Sequence, residues 1–354
     1  MQKWILLQAL VVDLESTFTG VASRPFTGCW ICILLILIAA VPVFAAEETT
    51  AVEFASNVNA TNLFRASPYA LAATQTTSSS SGTNQPAKEG SAKSADEVAR
   101  ELANPNNSLA SLTFRNQYIW YKGDLPHADN QSNYQMVFQP VFPFNLGQTD
   151  SGGKATLFVR PAIPLLVDYP SFDTGSLDFD GVTAIGDIGF DIGYGVTEKN
   201  GFLWAYGMVG TLPTATDEDV AGKELKLGPE ALFAKFEKWG IYGIFPSHQW
   251  DVVGWSGEYY SVSQLQAFLV FLPGDGINVG SKPIMNYNWD SHEWTVPLNL
   301  TIGKTVKMGQ TPVKLELEIN YYVDQPDAFG PEWMIGFNVT PVVNNFIESW
   351  IKGT

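Results

Sequence analysis

The chain has 354 residues, 36 acidic and 20 basic, so its formal net charge is −16. Charged residues make up 16% of the chain and hydrophobic residues 45%, a charge fraction below the quarter or so found in soluble domains. An acidic chain excludes nucleic acid as the default partner, because phosphate binding needs a basic face. Cys29 and Cys32 are the two cysteines, so the chain beyond them offers no disulfide, thiolate-bound metal or cysteine nucleophile.

An apolar run, WICILLILIAAVPVFAA, spans residues 30–46, with Arg24 before it and Glu47 after it. This pattern predicts a secretory signal peptide over residues 1–46, cleaved near Ala45 or Ala46. The alternative is a retained membrane anchor, for which the run is at the short limit of about 17 residues. The stretch before Arg24 is long for a signal peptide, which indicates a true start downstream of residue 1.

Residues 47–110 are predicted to be a low-complexity periplasmic segment, because they contain few large apolar side chains. Near the end of this segment, Ser94 and Glu97 form a capping-box pattern that predicts a short helix over 95–103. Asn104-Pro105 then ends the helix. The helix is interpreted as a plug or tether, or as a frayed link between tail and domain; its shortness favours the link.

Apolar and polar residues alternate repeatedly from residue 111 to residue 343. In residues 312–324, for example, Val313, Leu315, Leu317, Ile319, Tyr321 and Val323 share one face. Most of these runs hold ten to fourteen residues, and a tilted strand needs roughly 9–11 to cross a bilayer. About twelve strands are predicted, near 112–121, 134–146, 155–168, 183–196, 201–212, 225–237, 240–252, 260–272, 276–288, 294–304, 311–323 and 332–343.

The connections between these strands alternate between long acidic loops and tight turns. KGDLPHADNQS, PSFDTGSLDFDG and PTATDEDVAGKE are long, whereas TEKN and PGDG are tight. Long outer loops and short periplasmic turns are typical of outer-membrane barrels. The sequence therefore predicts an all-β, transmembrane, antiparallel up-and-down β-barrel over 111–343 in a Gram-negative outer membrane, preceded by a short N-terminal helix and followed by a periplasmic tail, 344–354.

The alternative all-β fold is a soluble, lipocalin-like barrel with its apolar face inward. That fold would need more charged residues on its outer face than the chain has. Aromatic residues near strand ends also favour the membrane barrel, because amphipathic rings are stable at the bilayer interfaces. Lys235 and His248 are exceptions on the lipid face, and Pro140, Pro161 and Pro229 predict bulges or bends within strands.

Several stretches resemble one known family. They are ELANP at 101–105, PVFPFNLG, FVRPAIPLL, DGVTAIGDIGFDIGYGVT, GTLPTAT, LGPEAL and FNVTPVV. Residues 98–343 are similar to the outer-membrane barrels labelled as meta-pathway phenol-degradation proteins, which are transporter-like and sometimes mislabelled with a neuromedin name. The resemblance implies a secreted, non-enzymatic barrel that admits aromatic or other hydrophobic compounds. The chain departs from many barrels at its C-terminus, where the last strand ends near Val342-Val343 instead of at Phe or Trp.

The first functional hypothesis is a porin-like barrel for passive uptake of small molecules. A barrel of this strand number has a narrow lumen. The side chains expected to line it and set selectivity are Arg115, Arg160, Asp187, Asp191, Glu230, Gln264, Gln266, Lys314, Glu316, Glu318 and Asn320. In the alternative interpretation these charges pair with one another and fill the interior.

Two other hypotheses remain open. An outer-membrane acyl hydrolase could use His248 with Ser261 or Ser263 on the next strand, but only Asp251 is available as an orienting acid. A structural or adhesive barrel could use acidic outer loops, such as 217–219 or the aspartates at 173, 178 and 180, to bind cations or a partner.

The expected partners are outer-membrane lipids, lipopolysaccharide and small solutes, and the oligomeric state is left open. Gly186, Gly189, Gly193 and Gly195 do not fit the dinucleotide fingerprint, and they indicate a strand that bends or leaves room in the lumen. The sequence contains no phosphate loop, zinc-protease motif or nucleophile elbow. No cofactor, metal or enzyme activity is predicted.

Overall fold

A computed structural model of the chain describes residues 94–106, 109–254 and 259–352. The predicted signal peptide and the low-complexity residues up to 93 lie outside the described residues. A short helix, α1 (Ala95–Leu102), precedes the strands, and a second, α2 (Phe346–Lys352), follows them. The strand segments are β1 (Ala110–Lys122), β2 (Ser132–Gln148), β3 (Lys154–Asp173), β4 (Asp178–Ile185), β5 (Ile188–Thr197), β6 (Phe202–Leu212), β7 (Glu224–Glu237), β8 (Gly240–Gly254), β9 (Ser261–Gly274), β10 (Ile277–Ser281), β11 (Ile284–Asn288), β12 (Glu293–Met308), β13 (Thr311–Asp324) and β14 (Gly330–Val343).

The strands form one closed antiparallel sheet, because β1 pairs with β2 on one side and with β14 on the other. Phe114 lies opposite Phe138 of β2 and Val339 of β14. The segments β4 and β5 both pair with β3, and β10 and β11 both lie between β9 and β12. The described segments therefore make a twelve-strand barrel, and the predicted up-and-down fold is confirmed. Closure leaves no sheet edge unpaired in the bilayer.

Two strands predicted as continuous are interrupted. The predicted strand 183–196 breaks at Gly186-Asp187, where the Asp187 carboxylate accepts hydrogen bonds from backbone N–H groups of the loop 213–223. The predicted strand 276–288 breaks at Lys282-Pro283, and Pro283 has no N–H to donate. The predicted loop after residue 168 is also wrong, because β3 and β4 continue as a hairpin to Asp173 and Asp178.

The prolines within strands interrupt pairing without ending the strands. The β2–β3 ladder has a gap between the Phe138–Ile163 and Phe142–Val159 pairs, around Pro140 and Pro161. The β7–β8 ladder has a similar gap beside Pro229. The register is the same on both sides of each gap, so these ladders have no bulge at the prolines, and the predicted bends stay a prediction.

The polarity of the two faces of the sheet is the reverse of that in a soluble barrel. On β12, Leu300 and Ile302 are 47% and 48% exposed, whereas Thr301 between them is fully buried. Polar side chains buried on the inner face include Arg160, Asp191, Glu230, Gln266, Glu316 and Glu318. An apolar exterior around a polar interior is the pattern of membrane barrels, so the lipocalin-like alternative is wrong.

Aromatic side chains gather near both ends of the barrel. At the long-loop end, Trp120 lies opposite Trp333, whose ring centroid is 4.6 Å from that of Tyr321. At the other end, the rings of Trp239 and Phe271 are 5.0 Å apart. Lys235, the exception on the lipid face, directs its ammonium group to the carbonyl of Asn200 in the adjacent turn. Its charge therefore reaches the interface, as expected for a snorkelling lysine.

The connections have two lengths. One end of the barrel carries the tight turns at 198–201, 238–239, 275–276 and 309–310, and the other carries longer loops, such as 123–131 and 213–223. The tight-turn end is the periplasmic end of an outer-membrane barrel. There, α2 places Phe346 against Phe142 of β2, with ring centroids 5.6 Å apart.

No helix in the described part of the chain is long and apolar enough to cross a membrane.

Candidate functional site: the barrel lumen

The predicted lumen residues come from strands on all sides of the barrel. In an antiparallel sheet, residues directly opposite each other point to the same face. Arg115 lies opposite Asn338 of β14, and Asn338 lies opposite Glu316 of β13. The next inward-facing row joins Gln135, Gln117, Gly336 and Glu318. Polar groups of four neighbouring strands, β2, β1, β14 and β13, are thereby collected in one enclosed space.

On one side of the lumen, a group that we call the Arg160 cluster contains Arg160 of β3, Asp191 of β5 and Glu230 of β7. The Nε atom of Arg160 donates to Oδ1 of Asp191 at 2.6 Å, and both side chains are almost fully buried. The guanidinium carbon lies 4.4 Å from the ring centroid of Phe158 and 5.6 Å from that of Phe245. The guanidinium therefore pairs with Asp191 and lies against two aromatic rings.

On the opposite side, the Glu316 cluster contains Lys282, Lys314, Glu316 and Asn278. The carboxylate of Glu316 is 2.6 Å from Nζ of Lys282 and 2.7 Å from Nζ of Lys314. It also accepts a hydrogen bond from Nδ2 of Asn278 at 2.9 Å. Gly303 lies between Glu316 and Asn278 in the register and leaves room for this contact, because a Cβ there would come 2.5 Å from Asn278 Oδ1. One carboxylate is thus shared by two cations.

Above the Glu316 cluster, toward the long loops, the lumen widens into a cavity of about 90 Å³ that we call the outer chamber. Glu318 lines it and accepts hydrogen bonds from Asn299 and Asn338 at 3.1 and 3.2 Å. Arg115 lines it as well, and among the described residues its guanidinium has no hydrogen-bond or ion-pair partner. The other lining groups include Gln117, Gln135, Asn286, Asn320, Tyr121, Tyr169, Tyr322 and Phe329.

Asp187 is separate from both clusters. Its Oδ1 accepts hydrogen bonds from the backbone N–H groups of Thr214 and Ala215, both at 2.9 Å. Its Oδ2 accepts from the N–H of Gly222 at 2.7 Å. The carboxylate therefore holds the loop 213–223 at the outer end of the barrel.

The structure brings together some of the predicted lumen residues and separates others. Arg160, Asp191 and Glu230 form one group; Lys314, Glu316, Glu318 and Asn320 lie along β13 on the other side, with Arg115 across β14. On β9, Gln264 receives a hydrogen bond from the hydroxyl of Ser247 at 3.4 Å, and Gln266 donates to the carbonyl of Lys282 at 3.4 Å. Whether these residues set selectivity stays a prediction.

Sequence reasoning missed several lumen groups. Lys282 lies at the break before Pro283, where simple alternation loses its phase. Asn278, Asn299 and Asn338 share the inner face with predicted residues on neighbouring strands, so strict alternation could have found them. Gln135 donates a hydrogen bond to Gln117 at 2.6 Å, and strict alternation could have found both of these residues as well.

The lumen also has an apolar wall. Its buried side chains come from β3 and β6–β9 and form one cluster: Phe158, Leu203, Ala205, Leu232, Ala234, Phe236, Ile241, Phe245, Phe268 and Val270. The Glu316 cluster and Arg115 lie on strands on the other side of the closed sheet. The lumen is therefore amphipathic around its circumference.

The N-terminal helix α1 is attached to turns at the periplasmic end of the barrel. Ser94 and Glu97 form the predicted capping box. Beyond the cap, Asp96 accepts from the backbone N–H of Gly276 in the β9–β10 turn. The guanidinium of Arg100 donates to the carbonyls of Glu237 and Lys238 in the β7–β8 turn, at 2.9 and 3.0 Å. These contacts attach the helix to the barrel, which is not expected of the frayed link that its shortness favours.

The segment that follows α1 contacts the inner face of β5. The amide of Asn106 donates to the hydroxyl of Thr197 at 3.4 Å. A Cβ at Gly195 would come 2.6 Å from Asn106 Oδ1, so glycine is needed there for the close approach. Gly193 similarly makes room for the ring of Phe158. The expectation that these glycines leave space inside the barrel is confirmed.

His248 does meet the two serines of the hydrolase hypothesis. Its Nδ1 is 2.7 Å from the hydroxyl of Ser263, and its Nε2 is 3.3 Å from that of Ser261. However, the indole N–H of Trp289 also donates to the Ser263 hydroxyl, and Asp251 accepts from the N–H of Tyr260. No described carboxylate contacts the imidazole, so the arrangement is a polar cluster among interfacial aromatic rings.

The carboxylates of the acidic outer loops bind groups in the same loop or in a neighbouring one. Asp173 accepts from the N–H groups of Gly175 and Ser176, which lowers the pKa of Asp173. Asp178 pairs with His127 at 3.0 Å, and Asp217 caps the N–H of Asp219. Within the described residues, no three acidic or histidine side chains converge as metal ligands.

Several solved structures are similar to this chain. An outer membrane channel from Pseudomonas putida F1 matches with a TM-score of 0.50 and 12% identity, over 66% of this chain and 94% of that one. The two proteins share the outer-membrane barrel fold. The NanC porin gives a TM-score of 0.41 at 9% identity (66% and 99% covered), and the CymD monoaromatic hydrocarbon channel gives 0.35 at 8% (71% and 91% covered).

No protein-family model and no curated protein matches the sequence. The fold shared with the Pseudomonas putida protein agrees with the predicted outer-membrane location. The resemblance to the phenol-degradation family is supported only at the coarser level of outer-membrane channels.

Proposed function

We propose that this chain is a non-enzymatic outer-membrane channel for passive uptake of small molecules, including aromatic and hydrophobic ones. The observation that carries this proposal is the inverted barrel: polar and charged side chains are buried inside, and an apolar belt faces outward. Outer-membrane lipids and lipopolysaccharide are its partners on the exterior. Solutes are its partners in the lumen.

The route runs from the outer chamber, between the two charged clusters, to α1. The Arg160 cluster and the Glu316 cluster face each other from opposite walls, so a solute passing between them meets both signs of charge. A transverse field of this kind orders solutes by charge and dipole. Asp191, Glu230 and Glu316 are the carboxylates that we assign to this level of the lumen.

The apolar wall explains why the solutes include hydrophobic ones. A small molecule with an apolar body and one polar group satisfies both sides of an amphipathic lumen. Its ring or chain lies against Phe158, Phe245 and Phe268, and its polar group faces the charged strands. A purely ionic solute would leave the apolar wall without a partner.

The periplasmic exit requires α1 to move. Its attachments are hydrogen bonds to turns, which each contribute about 0.5–1.5 kcal/mol, and the burial of the Val98 and Leu102 side chains. Opening therefore requires local unfolding of both kinds of contact. The helix therefore acts as a plug in the periplasmic mouth.

Single-channel conductance in planar bilayers tests this function. The full chain should show discrete conductance steps, and the Asp96→Ala/Arg100→Ala double variant should raise conductance or open probability. Glu237→Gln is the matched control, because Arg100 binds the backbone carbonyl of that residue and not its side chain. The control should conduct as the unchanged chain does.

Silence in all three proteins, with folding confirmed by heat-shifted gel mobility, would contradict a channel. It would favour the filled barrel with structural or adhesive loops. Steps that are unchanged in the double variant would keep the channel and remove the plug.

A further inference from the structure

We infer that the outer chamber is a binding site for single-ring aromatic carboxylates, with Arg115 as the residue that pairs with the carboxylate. This inference names a substrate class for the proposed uptake function and therefore rests on it in part. The carrying observation is an unpaired guanidinium in a cavity walled by tyrosine and phenylalanine rings.

The outer chamber and the adjacent Glu316 cluster together carry a positive charge. Arg115, Lys282 and Glu318 line the chamber, and Lys314 and Glu316 lie next to it. Three cations against two carboxylates leave a net charge of +1. This contrasts with the whole chain, whose formal charge is −16. The chamber therefore favours an anion over a cation.

Among the described residues, Arg115 is the cation of the chamber that has no carboxylate partner. Both lysines are within 2.7 Å of Glu316, so their charge is already shared with that carboxylate. Arg115 has no such partner among the described residues. A guanidinium presents a planar fork that matches a carboxylate with two parallel hydrogen bonds. A carboxylate is thus the ligand group that Arg115 lacks.

Aromatic rings line part of the outer chamber. The ring of Tyr121 stacks on Phe329 with centroids 4.6 Å apart, and Phe329 in turn contacts Phe179 at 4.8 Å. The hydroxyl of Tyr121 donates to Asn133, which fixes its ring. Tyr169 and Tyr322 add two further rings. Fixed rings give a planar ligand stacking or edge contacts without ordering cost.

The volume of the outer chamber and two buried oxygen atoms in it limit the ligand further. The chamber volume of about 90 Å³ is below the roughly 150 Å³ of a closed cavity that holds benzene. One ring therefore fits only with part of it in the open lumen, and a second ring would lie outside the chamber. Within the described ranges of the chain, the buried Oε1 of Gln135 and Oδ1 of Asn286 have no hydrogen-bond partner. A hydroxyl on the ring would supply a donor to either oxygen.

The test is block of single-channel current by 4-hydroxybenzoate, compared with benzyl alcohol and cyclohexanecarboxylate. We expect 4-hydroxybenzoate to block at least tenfold more strongly than either comparison compound, because only it has both the charge and the hydroxylated ring. Arg115→Gln should weaken this block at least tenfold. Lys122→Gln is the control, because it removes a cation whose ammonium lies 3.9 Å from Glu332 at the outer end of β1.

Calorimetric titration of 4-hydroxybenzoate into the full chain in detergent micelles separates this inference from the channel function. Conductance with equal block by all three compounds, or block that is unchanged in Arg115→Gln, would overturn the binding site and leave the channel intact. Binding by calorimetry that is lost in Arg115→Gln supports the site even in a chain that does not conduct. Heat-shifted gel mobility establishes that the Arg115→Gln barrel has folded.

Discussion

Arg160 and Asp191 form an ion pair across the β3–β5 ladder, where they lie opposite each other and are joined at 2.6 Å. Both side chains are almost completely shielded from solvent. A buried pair of this kind is costly to break from one side, because the remaining charge loses its partner in a poorly solvated place.

Replacing Asp191 by Asn should therefore change both stability and selectivity. The amide can still accept from Arg160, but it removes one negative charge from the Arg160 cluster. We expect a loss of about 1.5–3 kcal/mol in the free energy of unfolding. The reversal potential in a salt gradient should also shift toward anions.

Chemical denaturation in lipid vesicles and the reversal potential in planar bilayers measure these two effects. Asp324→Asn is the matched control, since it removes the same charge from an exposed position at the outer end of β13. Equal reversal potentials for the two variants would place Asp191 outside the ion path.

Asp187→Asn should act on a loop instead. The carboxylate accepts three backbone N–H groups, and an amide presents one acceptor oxygen and one donor nitrogen in its place. We expect amide hydrogen exchange at 214, 215 and 222 to accelerate about ten- to hundredfold, equivalent to ~1–3 kcal/mol. Asp217→Asn, which disturbs only one N–H within the loop, should leave those amides unchanged. Unaltered exchange in Asp187→Asn would show that another contact holds the loop.

The sequence predicts side-chain direction best in strands that have one polar face toward the lumen and one apolar face toward the lipid. The alternation in β13 predicts that Lys314, Glu316, Glu318 and Asn320 point inward, and all four are buried there. This works because the side-chain period of a strand is two and the lipid face tolerates few charges. The number of barrel strands follows from counting such runs.

The rest depends on tertiary contacts that local pattern does not encode. Asp187 has the alternation of a lumen residue, but its partners are up to 35 positions away in a loop. The helix α1 looks marginal from its length, because short helices are unstable alone. Turns more than a hundred residues away hold it in place, through Asp96 and Arg100.

Gly193→Val should destabilise the barrel through overpacking. A Cβ at this position would come 2.3 Å from Cζ of Phe158, whose ring is buried in the apolar wall. Moving the ring would disturb its contact with Arg160, and overpacking costs typically 1–3 kcal/mol.

Gly336→Ala is the matched control on another inward-facing position, because its nearest atom would be 3.3 Å away. Thermal unfolding followed by gel mobility should separate the two variants. A Gly193→Val barrel as stable as Gly336→Ala would mean that the Phe158 ring moves without cost.

His248→Ala should leave lipid hydrolysis unaltered. Both ring nitrogens of His248 already face serine hydroxyls, and no described carboxylate orients the ring. We expect the unchanged chain and the variant to release no fatty acid from phospholipid vesicles above the lipid-only background. The variant should lose about 0.5–1.5 kcal/mol of stability, because the imidazole packs 4.2 Å from the ring of Trp250. Fatty acid released by the unchanged chain and absent in the variant would instead support the acyl hydrolase.

The contact between two outer loops should depend on pH through Asp178. The hydrogen bond from His127 and the backbone N–H of Phe179 lower the pKa of Asp178 below its ordinary value. A carboxyl with a lowered pKa stabilises the folded loops above its ordinary pKa, and that contribution is lost as pH falls through the lowered one. Carbon-13 NMR of the side-chain carboxyl should show a midpoint below that of a free aspartate, and His127→Ala should raise it. A midpoint that is the same in both proteins would remove His127 as the cause.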